Sequence, residues 1–314
     1  MSVVSALRSV SFMITATHLT KRHGTKTSVD DVSFIARPGT VTGFLGPNGA
    51  GKSTTMRMIV GLDQPTSGSV TVDGHRYEDG LAPLRDVGVL LDAGAVHPRR
   101  TARNHLRVIA RTHGISDRRV DEVLGVAGLD AVARKRVGQF SLGMKQRLGL
   151  AAALLGDPGT LVLDEPVNGL DPEGVLWVRQ LCRRLADEGR AVLLSSHLMS
   201  EMAVTADRVI VLGRGRVIAD ASVADLTTRA GAYVRVRSDA PDRLEALLAP
   251  LGARSTRIAA DTLQVSDVAP ETIAEVARSS GVLLFESTPV QGTLEDAFFD
   301  LTADDVEYRA SRAA

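Results

Sequence analysis

The sequence predicts an α/β protein, on three observations. An apolar strand runs into a glycine loop and then a helix at residues 41–60. Two further apolar runs, TLVLDEP and AVLLSSH, end in polar side chains as buried parallel strands do. Aromatic residues make up only 4% of a chain that is 44% hydrophobic, so its core must be built from Val, Leu, Ile and Ala.

The glycine loop is GPNGAGKST, Gly46 to Thr54, after Val41 to Leu45 and before the helix-like stretch Thr54 to Val60. Strand, glycine loop and helix in that order is the context a phosphate-binding loop requires. Gly46, Gly49 and Gly51 let the backbone close on phosphate oxygens, while Pro47, Asn48 and Ala50 complete the turn. The helix start offers free N–H groups and a positive dipole end, Lys52 adds a charge, and Ser53 a hydroxyl for Mg²⁺. In TLVLDEP, Asp164 and Glu165 stand where a parallel strand ends, the edge at which open α/β sheets place ligands. AVLLSSH repeats the design with His197. Between them, FSLGMKQRLGLAAALL starts with Ser141 as a helix N-cap and Gly143 in the first turn. That end suits either an ordinary capped core helix or the nucleotide of another subunit, because this chain has one phosphate loop.

The remaining elements follow in order. Residues 93–157 read as mostly helical, with RTARNHLRVIARTHG and RRVDEVLGVAGL amphipathic. Residues 13–88 and 158–225 alternate strands with helices. After about residue 228, YVRVRS alternates like an edge strand, PDRLEALLAPL and PETIAEVARSSG are helical, STRIAADTLQVS reads as a hairpin around Ala260-Asp261, and VLLFES is a strand. The order βαββαβ is that of a ferredoxin-like module, closed by the helix TLEDAFFDLT. The expected organisation is a tail at 1–12, a nucleotide-binding domain at 13–228 and a C-terminal α+β domain at 229–314. Met13 is an alternative start to Met1.

Composition narrows the function. Lys+Arg 37 balance Asp+Glu 37, which excludes a general phosphate-neutralising nucleic-acid binder. A single cysteine, Cys182, excludes an internal disulfide framework. No apolar run reaches the roughly 18 residues of a membrane-spanning helix, and MSVVSALRSVSFM lacks the apolar run and cleavage site of a signal peptide.

Taken together, the motifs resemble those of the ATP-binding cassette ATPases of transporters over residues 13–225. The glycine loop lies at Gly46 to Ser53, the signature at Ser141 to Met144, the acidic strand at Leu161 to Glu165, the Gly169-Leu170-Asp171 loop follows, and His197 closes the set. The resemblance implies a phosphate-loop NTPase cassette with a helical subdomain, binding ATP and Mg²⁺. Lys52 and the loop amides through Thr54 would hold the phosphates, and Ser53 and Asp164 the metal. Glu165 would polarise the attacking water, His197 face the γ-phosphate, and Asp171 report to the partner subunit. It also implies a homodimer or heterodimer, a separately encoded membrane permease and a place on the inner face of the cell membrane.

Three positions depart from the commonest pattern. His23 stands where an adenine-stacking tyrosine is usual. Asp92 replaces a glutamine. Two like charges about 4 Å apart near a surface repel by about 4 kcal/mol, so Asp92 is expected to approach the Mg²⁺ rather than a phosphate oxygen. The signature reads SLGM instead of SGGQ, which is similar to the ATPases of bacterial antibiotic and lantibiotic exporters. A soluble cassette acting on ribosomes or DNA, and a nucleotide-sensing scaffold with little turnover, are the competing readings.

Overall fold

The computed structural model describes residues 13–80 and 83–302; the tail expected at 1–12 lies outside them. The chain divides into two compact units, the first reaching Ser222 and the second spanning Val223–Leu301. Along the first run β1 (Ile14–His23), β2 (Lys26–Ala36), β3 (Thr40–Leu45), α1 (Lys52–Ile59), β4 (Ser67–Val72), α2 (Pro83–Asp86), β5 (Val87–Leu90), α3 (Ala102–Thr112), α4 (Asp117–Val126), α5 (Leu142–Ala153), β6 (Thr160–Leu163), α6 (Pro172–Asp187), β7 (Ala191–Ser195), α7 (Met199–Thr205), β8 (Arg208–Gly213) and β9 (Arg216–Ser222).

The central sheet has the order β5-β6-β7-β3-β8-β9, parallel except for the β8–β9 pair. Its inner strands are apolar on both faces: TLVL of β6 and AVLLS of β7 are buried throughout. Residues 14–36 depart from the expected alternation of strands and helices. β1 and β2 form an antiparallel pair, and β4 joins the far edge of β1. This second sheet buries Ile14, Leu19, Val32 and Phe34 against the central one, where Phe34 meets Phe44 of β3 edge-on at 5.0 Å. Such ring pairs contribute about 0.5–1.5 kcal/mol beyond their buried area.

The stretch 93–157 holds α3, α4 and α5, capped at Thr101, Ser116 and Ser141, whose hydroxyls each accept a backbone N–H from the first turn. α6 begins with Asp171 as cap and Pro172 in its first turn, and it buries Cys182, whose thiol pKa is pushed up to about 12 by that burial. A thiol so placed is inert packing.

The second unit comprises α8 (Val223–Arg229), β10 (Tyr233–Ser238), α9 (Pro241–Leu248), β11 (Arg254–Ala259), β12 (Thr262–Ser266), α10 (Pro270–Ser280), β13 (Leu284–Val290) and α11 (Leu294–Thr302). Its sheet has the order β11-β12-β10-β13, every neighbour antiparallel. β10 therefore sits inside the sheet and not at its edge, as YVRVRS had implied. Its alternation arises because Val234 and Val236 join Leu244, Leu248 and Ile273 of the helices in one core, while Arg235 and Arg237 stay exposed. One-sided cover produces that pattern in inner and outer strands alike. The division between the units falls at 222/223, ahead of the expected 228, so α8 groups with the C-terminal unit. The carbonyl of Thr227 and the Ala230 methyl of that segment crowd Gly292. Among the described residues no helix is long and apolar enough to cross a membrane.

Candidate active site

β3, β6 and β7 are neighbours in the central sheet, so the segments that follow them emerge at one edge. The loop after β3 squeezes between two other chain segments, and its glycines answer to that. A Cβ on Gly46 would lie 2.4 Å from the Leu212 carbonyl oxygen of β8, and one on Gly51, at φ 102°, would lie 2.6 Å from that of Ser28 in β2. Gly51→Ala is expected to cost about 1–3 kcal/mol of backbone strain alone, and more from the contact with Ser28. Urea unfolding should show an earlier midpoint at unchanged slope, and binding of an ATP analogue should be lost. An unchanged midpoint with normal binding would contradict the account of the loop.

Lys52 opens α1 and is 8% exposed. Its Nζ donates to the carbonyls of Gly46 at 2.6 Å and Pro47 at 3.2 Å, so the ammonium lies inside the curl of its own loop. Burial lowers its pKa, and the carboxylates of Glu165 and Asp164 oppose that shift. A polyanion arriving at this loop would add to their effect and hold the lysine charged. The cleft around it measures about 350 Å³ and is lined by Asn48 to Thr54, Lys26, Ser28, Leu91, Asp164 and Glu165.

The two carboxylates are held by a device that the sequence did not reveal. Ser195, the last residue of β7, is fully buried; its hydroxyl donates to Asp164 Oδ1 at 2.5 Å and accepts the Glu165 N–H at 2.8 Å. Glu165 itself has φ 49°, the left-handed region that non-glycine residues rarely adopt, and its carbonyl accepts from Gln146 Nε2 of α5 at 3.0 Å. Its carboxylate Oε2 lies 2.9 Å from His197 Nδ1. An ionised carboxylate only accepts, so the shared proton belongs to the imidazole.

Of the residues picked out by sequence, the structure thus gathers Asn48, Gly49, Ala50, Gly51, Lys52, Ser53, Thr54, Asp164, Glu165 and, through Glu165, His197. Gly46 and Pro47 form the floor that Lys52 bonds. His23 lies exposed at the end of β1, paired across the hairpin with Lys26, which does line the cleft. Asp92 is exposed and not part of the lining; Leu91 takes that place, and Asp92 Oδ1 accepts the Gly94 N–H at 2.7 Å. Ser141 and Gly143 lie outside the cleft too. Ser141 is exposed at the start of α5, its Oγ accepting the Met144 N–H at 3.2 Å, and Gly143 packs against the Gly169 carbonyl. Asp171 caps α6 by accepting the Gly174 N–H at 2.9 Å.

Signals for two of the missed residues were present. Ser195 is a hydroxyl at the end of an otherwise aliphatic strand. Gln146 shares a helical face with buried Leu150 and Ala153, an amide where the periodicity calls for an apolar side chain. Lys26, Ser28 and Leu91 carried none, because only the folded sheets bring them to the loop.

Comparison with known proteins places the chain in a family. Residues 29–168 match the family model described as ABC transporter, and residues 232–295 match a domain family of unknown function. The bacitracin transport ATP-binding protein BcrA of Bacillus licheniformis is 40% identical over 72% of this chain and 74% of its own. The lantibiotic transport ATP-binding protein SrtF of Streptococcus pyogenes is 35% identical over 66% of this chain and 89% of its own. The dimeric structure of a post-hydrolysis state of the ATP-binding cassette MJ0796, bound to ADP and Pi, superimposes with a TM-score of 0.61 at 25% identity, covering 67% of this chain and 98% of that one. The cleft, the acidic pair and these relatives lead to one conclusion: the chain belongs to the ATP-binding proteins of ABC transporters and is an ATPase of the cassette type.

Proposed function

We propose that this chain is the ATPase subunit that powers a separately encoded membrane permease, an exporter of antibiotic-, drug- or lipid-like compounds. It works as a homodimer or heterodimer at the inner face of the cell membrane. The observation that carries the pairing is the separation of the two anion-seeking helix ends. Lys52 and the amides of α1 line the cleft, whereas Ser141 at the start of α5 is exposed outside it. A second chain would bring its own Ser141 and Gly143 to the triphosphate held by the first. The names of the relatives that transport bacitracin and lantibiotics support export of such compounds.

The cleft fits a metal nucleotide. Mg²⁺ keeps waters and takes phosphate oxygens as ligands, so the one hydroxyl and one carboxylate that Ser53 and Asp164 bring to the cleft suit it. Ser53 and Asp164 are the residues that would hold it, with Asp164 fixed by Ser195. Bound there, Mg²⁺ would neutralise charge on the phosphate oxygens. Lys52 would leave the Gly46 and Pro47 carbonyls for those oxygens. Glu165 takes the proton of the attacking water as its oxygen bonds to the γ-phosphorus and ADP leaves. His197 steadies the carboxylate and contacts the γ-phosphate. His23 stacks on adenine from the hairpin that also carries Lys26, Asp92 approaches the metal once nucleotide is bound, and Asp171 transmits the state of the site across the dimer. The C-terminal unit, whose antiparallel strand order runs second-third-first-fourth, is a ferredoxin-like accessory domain, and its closing helix α11 contributes dimer contact.

The test is ATP hydrolysis by the purified chain, alone and reconstituted with its permease in vesicles. Turnover that rises with the permease supports the assignment; turnover indifferent to it, with co-purification of ribosomal particles, would favour the non-transport reading.

A further inference from the structure

Gln146 is 5% exposed inside the first unit, where an unpaired polar group is costly. It is spent on one acceptor, the main-chain carbonyl of Glu165, at 3.0 Å. With Ser195 holding the N–H of the same residue, both polar groups of the Glu165 backbone are pinned, from two different elements. This is what a left-handed glutamate at φ 49° requires, since such a conformation persists only where its surroundings over-determine it.

The element that carries Gln146 is α5, whose first turn holds Ser141 and Gly143. That turn touches the same segment again further along. The Leu142 side chain fills the space where a Cβ on Gly169 would go, 2.3 Å from Leu142 Cδ2, and Gly143 abuts the Gly169 carbonyl and the Leu170 side chain. One turn on, Arg147 lies over the Trp177 ring of α6 at 4.9 Å. α5 is thus fastened to residues 165–177 at its tip, through Gln146 and through Arg147, and a shift of its signature end must be felt at Glu165.

We propose that Gln146 is a positioning residue for Glu165, through which engagement of the signature end of α5 in one nucleotide site sets the catalytic carboxylate in the other site of the same chain. This rests on the paired-chain reading above. It gives each chain a physical link between the ATP its partner holds and the ATP it holds itself.

The experiment compares steady-state kinetics of full-length Gln146→Met and Gln146→Ala with wild type. Methionine keeps the volume and flexibility of glutamine and removes the amide, and with it the bond to the Glu165 carbonyl, so it rescues a packing role and not a positioning one. Both variants are expected to lose about five- to tenfold in kcat with the KM for ATP within about twofold, and to retain ATP-dependent dimerisation in a Glu165→Gln background. Paired with Ser141→Ala, the loss should be clearly less than the product of the single losses, the mark of residues acting as a unit. Wild-type kcat in Gln146→Met, or multiplicative losses with Ser141→Ala, would overturn the proposal. Failure of Glu165→Gln alone to dimerise with ATP would instead overturn the paired-chain reading on which it stands.

Discussion

Glu165→Gln is expected to lower kcat by about 10²- to 10⁴-fold, the usual contribution of a positioned general base, while ATP still binds and accumulates in a closed dimer. The geometry makes this substitution a clean one. The amide oxygen can accept from His197 Nδ1 as Oε2 does now at 2.9 Å, and the backbone bonds to Ser195 and Gln146 involve no side-chain atom of Glu165. What disappears is the basic oxygen that receives the water proton, so the chemistry stops with the site otherwise built. Size-exclusion chromatography with ATP should show a dimer that wild type displays only transiently. A variant that hydrolyses at the wild-type rate would remove Glu165 from the role of base.

Lys52→Ala should act one step earlier, on binding. A charged hydrogen bond is worth about 1.5–3 kcal/mol, which corresponds to a loss of about ten- to 150-fold in nucleotide affinity. The fold should tolerate it. Burial disfavours the charged form of Lys52, as the downward direction of its pKa shows, so its removal relieves a desolvation cost that offsets the loss of the bonds to Gly46 and Pro47. The nucleotide-free melting temperature is therefore expected to stay close to wild type while the ATP-induced rise in melting temperature is lost. A retained ATP-induced rise would place the phosphates elsewhere.

The parts of this site that the sequence made legible are those written in local order. The loop 46–54 carries strand, glycines, lysine and helix in one continuous stretch, and Asp164, Glu165 and His197 each follow an aliphatic strand whose burial is a property of its own residues. What stayed hidden depends on which strands become neighbours. Ser195 reaches Asp164 and Glu165 only because β7 lies beside β6, and Gln146 reaches the Glu165 carbonyl only because α5 packs across the segment that follows β6. The antiparallel sheet of β1, β2 and β4 was missed for a related reason: a strand is legible in its own residues, but the strand it pairs with, and in which direction, is not. The edge-strand reading of YVRVRS confused one-sided cover with edge position, which sequence alternation does not separate. At Asp92 the local turn, in which the Gly94 N–H donates to the carboxylate, carried no signal in a reading based on charge alone.

The most direct test of the shared site mixes two inactive chains. A Lys52→Ala chain keeps a sound signature end, and a Ser141→Arg chain keeps a sound phosphate loop; each alone forms only crippled sites. If Ser141 of one chain completes the site at Lys52 of the other, the mixture contains heterodimers with one intact site, and ATPase activity rises well above that of either variant. If the mixture stays as inactive as its components, the signature end does not serve a partner's nucleotide, and the two-chain account is wrong.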